Sequence, residues 1–246
     1  MFIFGYTGAG RKEGQNEDAF LCGKKVIDDN AASLEVKSFP VIAAVADGVS
    51  GETSGEVASK AALEVLSGVK INPKTDYAEV VLQVHRFLKM QGTLKGLSNM
   101  QTTLNASIFL SEKTGVIVNV GDSRAYLWRD GALSQLTKDQ SLAQILFEAG
   151  QLSKAQKEKF AHKNVILPAL GNMTADPVPD IYEMPELLPG DVILMCTDGF
   201  SDFVPTPDAE YIMSLPERLP ERLEKLYKRA LMGGSKDNIT VVGVAV

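Results

Sequence analysis

Three apolar runs in this chain end on an acid. Val41-Ile42-Ala43-Ala44-Val45-Ala46 runs into Asp47-Gly48, Val116-Ile117-Val118-Asn119-Val120 runs into Gly121-Asp122, and Ile193-Leu194-Met195-Cys196-Thr197 runs into Asp198-Gly199. Short apolar runs bounded by turn residues read as buried strands. A single Asp-Gly pair needs no explanation beyond turn formation. Turn chemistry does not require a carboxylate after each of three strongly apolar strands, so a second cause is needed.

Further strand-like runs cover Phe2 to Tyr6, Ala19 to Cys22, Leu104 to Leu110, Ala125 to Trp128 and Ile239 to Val246. Arg129-Asp130-Gly131 between AYLW and ALSQL is a tight-turn signal, and Ser111 to Thr114 is a short polar connection, so neighbouring strands are expected to be antiparallel. Helices are punctuated as clearly. Thr53 and Glu56 read as a capping box before an alanine-rich run that stops at Gly68. A second helix starts near Asp76, with Tyr77, Val80, Val81, Val84, Phe87 and Leu88 at helical spacing, and a third runs from about Pro220 to Gly233-Gly234. The basic face of that third helix, Arg222, Lys225, Lys228 and Arg229, reads as a solvated surface.

Between residues 138 and 189 the pattern changes. Thr137 with Gln140, and Ser153 with Gln156, read as capping boxes of two short helices split by Gly150, a helical insertion of the kind from which lids are built. Strand layers covered by a few helices make an antiparallel α+β fold the economical choice, as a single unit spanning residues 1–246.

With 246 residues and 45% hydrophobic content the chain can bury a substantial core. A net charge of −6 argues against a nucleic-acid surface, and no apolar stretch approaches the length of a membrane span. The opening residues, MFIFGYTGAG, lack a basic segment followed by a long apolar one, so the expected compartment is the cytoplasm. Cys22 and Cys196 lie in or beside apolar runs and are expected as reduced core thiols.

Glu17-Asp18 opens one strand and Asp237 precedes the last. If these ends meet Asp47, Asp122 and Asp198 at one edge of the sheets, the charges must raise one another's pKa values or attract a cation. An all-oxygen donor set selects hard Mg²⁺ or Mn²⁺ over Zn²⁺. Spacing alone leaves the convergence open.

The ordered motifs resemble the metal-dependent protein phosphatases of type 2C, in their compact bacterial form. They are Asn16-Glu17-Asp18-Ala19; Val45-Ala46-Asp47-Gly48-Val49-Ser50-Gly51 with Gly55-Glu56-Val57-Ala58-Ser59; Gln101-Thr102-Thr103-Leu104; Val120-Gly121-Asp122-Ser123-Arg124-Ala125-Tyr126; Leu136-Thr137-Lys138-Asp139; Ala169-Leu170-Gly171; Gly190-Asp191; Cys196-Thr197-Asp198-Gly199; and Asp237-Asn238-Ile239-Thr240-Val241-Val242. The resemblance implies two antiparallel β-sheets face to face between helical layers, with metals at one end. It implies that Asp47 bridges two Mn²⁺ or Mg²⁺ ions, that the Gly48 carbonyl contacts one of them, and that Asp198 and Asp237 complete the other. Glu17 and Asp18 would act directly or through waters, and Asp122 with Asp198 would hold a third, weaker ion. The implied activity is hydrolysis of phosphoserine and phosphothreonine in proteins, the substrates of a serine/threonine kinase, by a metal-activated water and a monomeric enzyme.

Three departures stand out. The phosphate-binding arginine expected three residues before Asn16 is replaced by Glu13, which leaves Arg11, with Lys12 beside it, as the expected phosphate ligand. Gln140 stands where the resemblance expects histidine, and Val165-Ile166-Leu167-Pro168 lacks a common arginine. Ser123 and Arg124 are expected to organise the turn carrying Asp122, His85 to pack or lie at the surface, and His162 to be solvated. Two other functions fit the same residues: a phosphoprotein-binding regulator without turnover, and a phosphoesterase for small molecules.

Overall fold

The computed structural model describes residues 1–10, 14–49, 54–97, 100–162, 165–167 and 169–246, the side chain of Glu158 excepted. Among these, the chain forms β1 (Phe2–Gly8), β2 (Asp18–Cys22), β3 (Lys25–Ile27), β4 (Asn30–Glu35), β5 (Val41–Asp47), α1 (Gly55–Ser67), α2 (Tyr77–Lys95), β6 (Leu104–Phe109), β7 (Gly115–Val120), β8 (Arg124–Arg129) and β9 (Ala132–Gln135). There follow α3 (Leu142–Glu148), α4 (Lys154–Glu158), β10 (Asp180–Glu183), β11 (Val192–Cys196), α5 (Asp198–Ser201), α6 (Thr206–Met213), α7 (Leu219–Gly233) and β12 (Ile239–Ala245).

The strands make two six-stranded sheets, one in the order β4-β1-β12-β11-β8-β9 and the other β10-β7-β6-β5-β2-β3. Each pairing is antiparallel. The sheets are buried on both faces, which is why their strands read as continuous apolar runs rather than as alternation. In β5, Val41, Ala43 and Val45 point between the sheets, where they meet Phe20, Phe109, Ile193, Met195 and Val242. The intervening Ile42, Ala44 and Ala46 point outward against Ala58, Leu63 and Leu66 of α1 and Val84 and Leu88 of α2. On the other side Leu194, Cys196, Ile239 and Val241 meet Leu219, Leu223, Leu226 and Ala230 of α7. Three apolar layers therefore separate helices, sheet, sheet and helices, and each fully buried Leu, Ile or Val contributes about 1.5–3 kcal/mol.

Helix boundaries follow local chemistry. The Asp76 carboxylate accepts the Glu79 N–H at 3.1 Å, and Gly96 ends α2 in the left-handed conformation. Gly234 ends α7 in the same way, and the basic residues of α7 are engaged on the surface, Lys228 with Glu224 and Arg229 with Asp208, both at 2.6 Å. The Arg129–Gly131 turn has both central residues at positive φ, Asp130 at 51° and Gly131 at 84°, as a two-residue hairpin requires.

Two expected caps are not as read. Ser54 stands at the N-cap of α1 with its side chain not used as a cap, and Thr53 lies outside the described residues. The helix α3 is capped by Ser141, whose hydroxyl accepts from Gln144 N–H, instead of Thr137. Thr137 is already used, since its hydroxyl accepts the Ala125 N–H at 3.0 Å. The box at Ser153 and Gln156 does form at α4. The segment read as a helical insertion also contains β10, an edge strand on β7.

Candidate active site

The acids converge because of register. Antiparallel pairing of β2 with β5 sets Asp18 opposite Asp47 at the end of one sheet. In the other sheet β11 and β12 are neighbours, Cys196 facing Val241, so Asp198 just after β11 lies beside Asp237 just before β12. The β7–β8 connection passes from one sheet to the other and carries Asp122 in a turn that needs Gly121 at φ 100°. Glu17 is fixed by its backbone: its N–H donates to Asn238 Oδ1 at 2.8 Å, and its carbonyl accepts from Ser59 Oγ at 2.6 Å and from Gly48 N–H at 3.2 Å. A Cβ on Gly48 would lie 2.4 Å from the Gly55 backbone, so only glycine lets β5 end this close to the start of α1.

Hydroxyl groups hold the acids in place. Asp18 is buried, and its Oδ2 accepts from Thr240 Oγ1 at 2.7 Å and from Thr197 Oγ1 at 2.8 Å. Thr7 and Asn16 extend that chain behind Thr240. The Asp47 carbonyl accepts from Thr102 Oγ1 and from Thr103 N–H, each at 2.8 Å, and Asp47 N–H donates to Thr103 Oγ1 at 3.0 Å. Ser123 Oγ lies 2.8 Å from that same Thr103 hydroxyl, beneath Asp47. Arg124 makes a bidentate pair with Asp139 at 2.8 and 2.7 Å. Gln140, at the position of the expected histidine, fastens the Asp122 turn: its Oε1 accepts from Gly121 N–H and its backbone N–H donates to Gly121 O, both at 2.9 Å.

Electrostatics gives the cluster its character. Burial, partly offset by the two threonine hydroxyls and reinforced by Asp198 and Asp237, pushes Asp18 up to about 7. Burial and the charges of Asp198 and Asp139 push Asp122 up to about 8. Burial and Asp237 push Asp198 up to about 7, and burial with Asp18, Asp198, Asp122 and Asp237 holds Asp47 well above the usual carboxylate range. Among the described residues no three His, Cys, Asp or Glu side chains form a ready-made cage for a metal. The donor set nevertheless fits a hard divalent cation: carboxylates at close quarters, with neither thiol nor imidazole among them, whose mutual repulsion a cation would relieve.

A cavity of about 600 Å³ opens beside Asp122 and Asp198, walled by Arg124, Tyr126, Lys154, Lys157 and Phe200. Lys157 spans from α4 to Gln144 and lies 3.7 Å from Asp139. The structure thus brings Asp18, Asp47, Asp122, Asp198 and Asp237 together, with Glu17 and Gly48 on the same rim. Arg11, Lys12, Glu13 and Pro168 lie outside the described residues. Cys22 and Cys196 are buried and unpaired with each other, and His162 is exposed, packing edge-on to Phe160. Sequence reasoning missed Thr7, Thr197, Thr240 and Asn238 as supports. The faint signal for them was polar side chains set inside apolar strands or next to acids.

Facing antiparallel sheets between helical layers define a sandwich found in solved phosphatases. The crystal structure of the Mycobacterium tuberculosis serine/threonine phosphatase PstP/Ppp is 28% identical and superposes with a TM-score of 0.82 over 100% of this chain and 99% of that one. The catalytic domain of the serine threonine protein phosphatase PstP, in complex with two manganese ions, is 28% identical with a TM-score of 0.77, over 99% and 98% of the two chains. Among curated proteins, serine/threonine phosphatase stp of Listeria welshimeri is 33% identical over 228 residues, covering 87% of this chain and 88% of its own. The protein phosphatase 2C model matches residues 22–231, and the chain belongs to that family.

Proposed function

We propose that this protein hydrolyses phosphoserine and phosphothreonine in proteins with two Mn²⁺ or Mg²⁺ ions held at the end of the sandwich. The reading is carried by the buried acid set, with Asp18, Asp122 and Asp198 pushed up to about 7 or 8, in a chain one-third identical to a named serine/threonine phosphatase. Asp47 and the Gly48 carbonyl, Asp198 and Asp237, and Glu17 and Asp18 at the margin would hold the two ions, and Asp122 with Asp198 a third. Such cations, when bound, ready a water for attack near neutral pH and offset charge on the phosphoryl oxygens.

The chain's own residues supply orientation. Thr197 and Thr240 occupy Asp18 Oδ2, which leaves Oδ1 for the site. Thr102 and Thr103 fix the backbone of Asp47. Neither cysteine offers a nucleophile, since burial pushes Cys22 up to about 11 and Cys196 up to about 12. Arg11 and Lys12 are proposed as the phosphate ligands, and residues 138–189 as a lid whose Lys157 reaches over the cavity. Action as a monomer is part of this reading. No helix among the described residues is long and apolar enough to cross a membrane, and the buried free thiols fit a reducing cytoplasm where kinase-modified proteins occur.

The test is phosphate release from a phosphothreonine peptide with Mn²⁺ and after chelation, for the natural chain and for Asp198→Asn. Release is expected to need the metal and to fall more than about a hundredfold in the variant, since even outer-shell changes at metal sites cost 10–100-fold. Circular dichroism should be unchanged. Unchanged turnover in Asp198→Asn would overturn the assignment. Peptide binding without release points instead to a regulator, and a higher kcat/KM on a small phosphomonoester than on any phosphopeptide points to a metabolite phosphatase.

A further inference from the structure

The buried His85 is unused by the chemistry above, yet its two ring nitrogens are both engaged. It lies in α2 with no exposed surface. Its Nδ1 is 3.1 Å from the Gly171 N–H, and its Nε2 is 3.1 Å from Asp176 Oδ1. A backbone N–H can only donate, so Nδ1 must be the bare, accepting nitrogen and the ring proton must sit on Nε2, facing Asp176.

The segment held by Nδ1 has no freedom of its own. Gly171 is at φ 82°, and a Cβ there would lie 2.0 Å from Met100 O and 3.2 Å from Leu88 Cβ. Leu170 and Thr102 exchange backbone hydrogen bonds, Thr102 N–H to Leu170 O at 3.1 Å and Leu170 N–H to Thr102 O at 2.9 Å. Thr102 in turn bridges Gly48, Val49 N–H donates to Gln101 O at 3.0 Å, and the Thr102 hydroxyl and Thr103 N–H both end on the Asp47 carbonyl. Residues 47–49, 101–103 and 169–171 thus form a three-layer ribbon past the end of the sheet. Asp47 lies on its inner layer, and its outer layer packs on α2 through Leu170 and is hydrogen-bonded to it at Gly171 by the His85 imidazole.

We infer that His85 is a positioning residue for the acid centre, its neutral Nε2–H ring clamping Gly171 so that the ribbon holds the backbone of Asp47 and Gly48. Its bearing on turnover rests on the proposed phosphatase reading; the clamp itself does not. Protonating the ring would put a hydrogen on Nδ1 against the Gly171 N–H and leave that donor buried without a partner. The described charged groups facing the ring are Asp176, which favours the cation, and Lys89 and Arg86, which oppose it; together with burial, the largest influence, they hold His85 below its ordinary value.

Two variants separate the nitrogens. The amide oxygen of His85→Asn falls near the place of Nδ1 and can accept from Gly171, whereas the longer amide of His85→Gln reaches toward Nε2 and Asp176 and leaves Gly171 without its acceptor. Amide hydrogen exchange on the metal-free chains is expected to be at least about tenfold faster at Thr102 and Thr103 in His85→Gln, near the natural rate in His85→Asn, and unchanged in β1 and β12 in both. With Mn²⁺, kcat for the phosphothreonine peptide should fall about tenfold or more in His85→Gln with little change in KM, since small displacements of a reacting group cost that much. Equal exchange at Thr102 and Thr103 in both variants would overturn the clamp. Faster exchange with unchanged kcat would overturn its role in positioning, and absence of turnover in the natural chain would instead strike the phosphatase reading while the exchange result stands. If neither variant folds, ¹⁵N resonances of the natural protein decide: an Nδ1–H tautomer of His85 refutes the proposal.

Discussion

Asp18 shows what a single residue in this centre must withstand. Two hydroxyls donate to it and would lower its pKa, yet burial prevails and carries it to about 7, with Asp198 alongside at about 7 and Asp122 at about 8. In the unfolded chain these acids titrate near 3.8. A raised folded pKa means that the native state binds more protons than the unfolded one between the two values, so this contribution to stability is full in acid and lost as pH rises through the folded pKa. The chelated protein should therefore have a lower urea midpoint at about pH 8 than at about pH 6, as far as these groups decide it, and saturating Mn²⁺ should remove that loss. Binding of Mn²⁺ at about pH 7 should release protons, read by calorimetry in buffers of differing ionisation enthalpy. Heat independent of the buffer would show that the acids are already ionised without metal. The acids themselves were legible in sequence because each stands at the end or at the start of an apolar run. The threonines were not, because what Thr240 or Thr102 does depends on which residue of a distant strand lies opposite.

At the scale of elements, legibility followed burial. The inner strands β1, β2, β5, β6, β7, β8, β11 and β12 were readable as apolar runs, whereas β3, β4 and β10 are partly exposed edge strands whose sequences carry little apolar pattern. The helices α5 and α6 were missed because the first has four residues and the second begins on Thr206-Pro207, which reads as a turn. Competition for side chains misled the reading of Thr137, whose hydroxyl was expected to cap a helix and instead joins β8. The short helix α4 depends on its cap more than most: Ser153 and Gln156 satisfy each other, and a five-residue helix has little else to hold it. Ser153→Ala removes about 1 kcal/mol from it. Exchange protection over residues 154–159 should be lost and the phosphopeptide KM should rise severalfold, with kcat and the melting temperature nearly unchanged. A large fall in melting temperature would mean that α4 belongs to the core rather than to a lid.

For the whole molecule, the centre is a junction. Asp18 and Asp47 belong to one sheet, Asp198 and Asp237 flank strands of the other, and Asp122 sits on the connection between them. A cation shared by these groups would tie the two sheets together at one end, where the apolar layer between them stops. Free Mn²⁺ at about a hundred times its dissociation constant adds about 2.7 kcal/mol to the stability of the native state. For a chain of this size that amounts to about 5–10 °C in melting temperature. Asp198→Asn should show a much smaller gain, and an equal gain would place the ion elsewhere.

The pairing of β1 with β12 has a consequence in time. Phe2 faces Ala245 and Gly8 faces Ile239, and one of the two hydroxyls that steady Asp18 is on Thr240, more than two hundred residues downstream. While the chain is being synthesised, Asp18, Asp47, Asp122 and Asp198 all leave the ribosome before the strand that completes their surroundings. Contacts this distant in sequence form late. The acid centre therefore depends on β12, and a nascent chain stalled before that strand carries Asp18, Asp47, Asp122 and Asp198 but neither Asp237 nor the Thr240 hydroxyl that donates to Asp18.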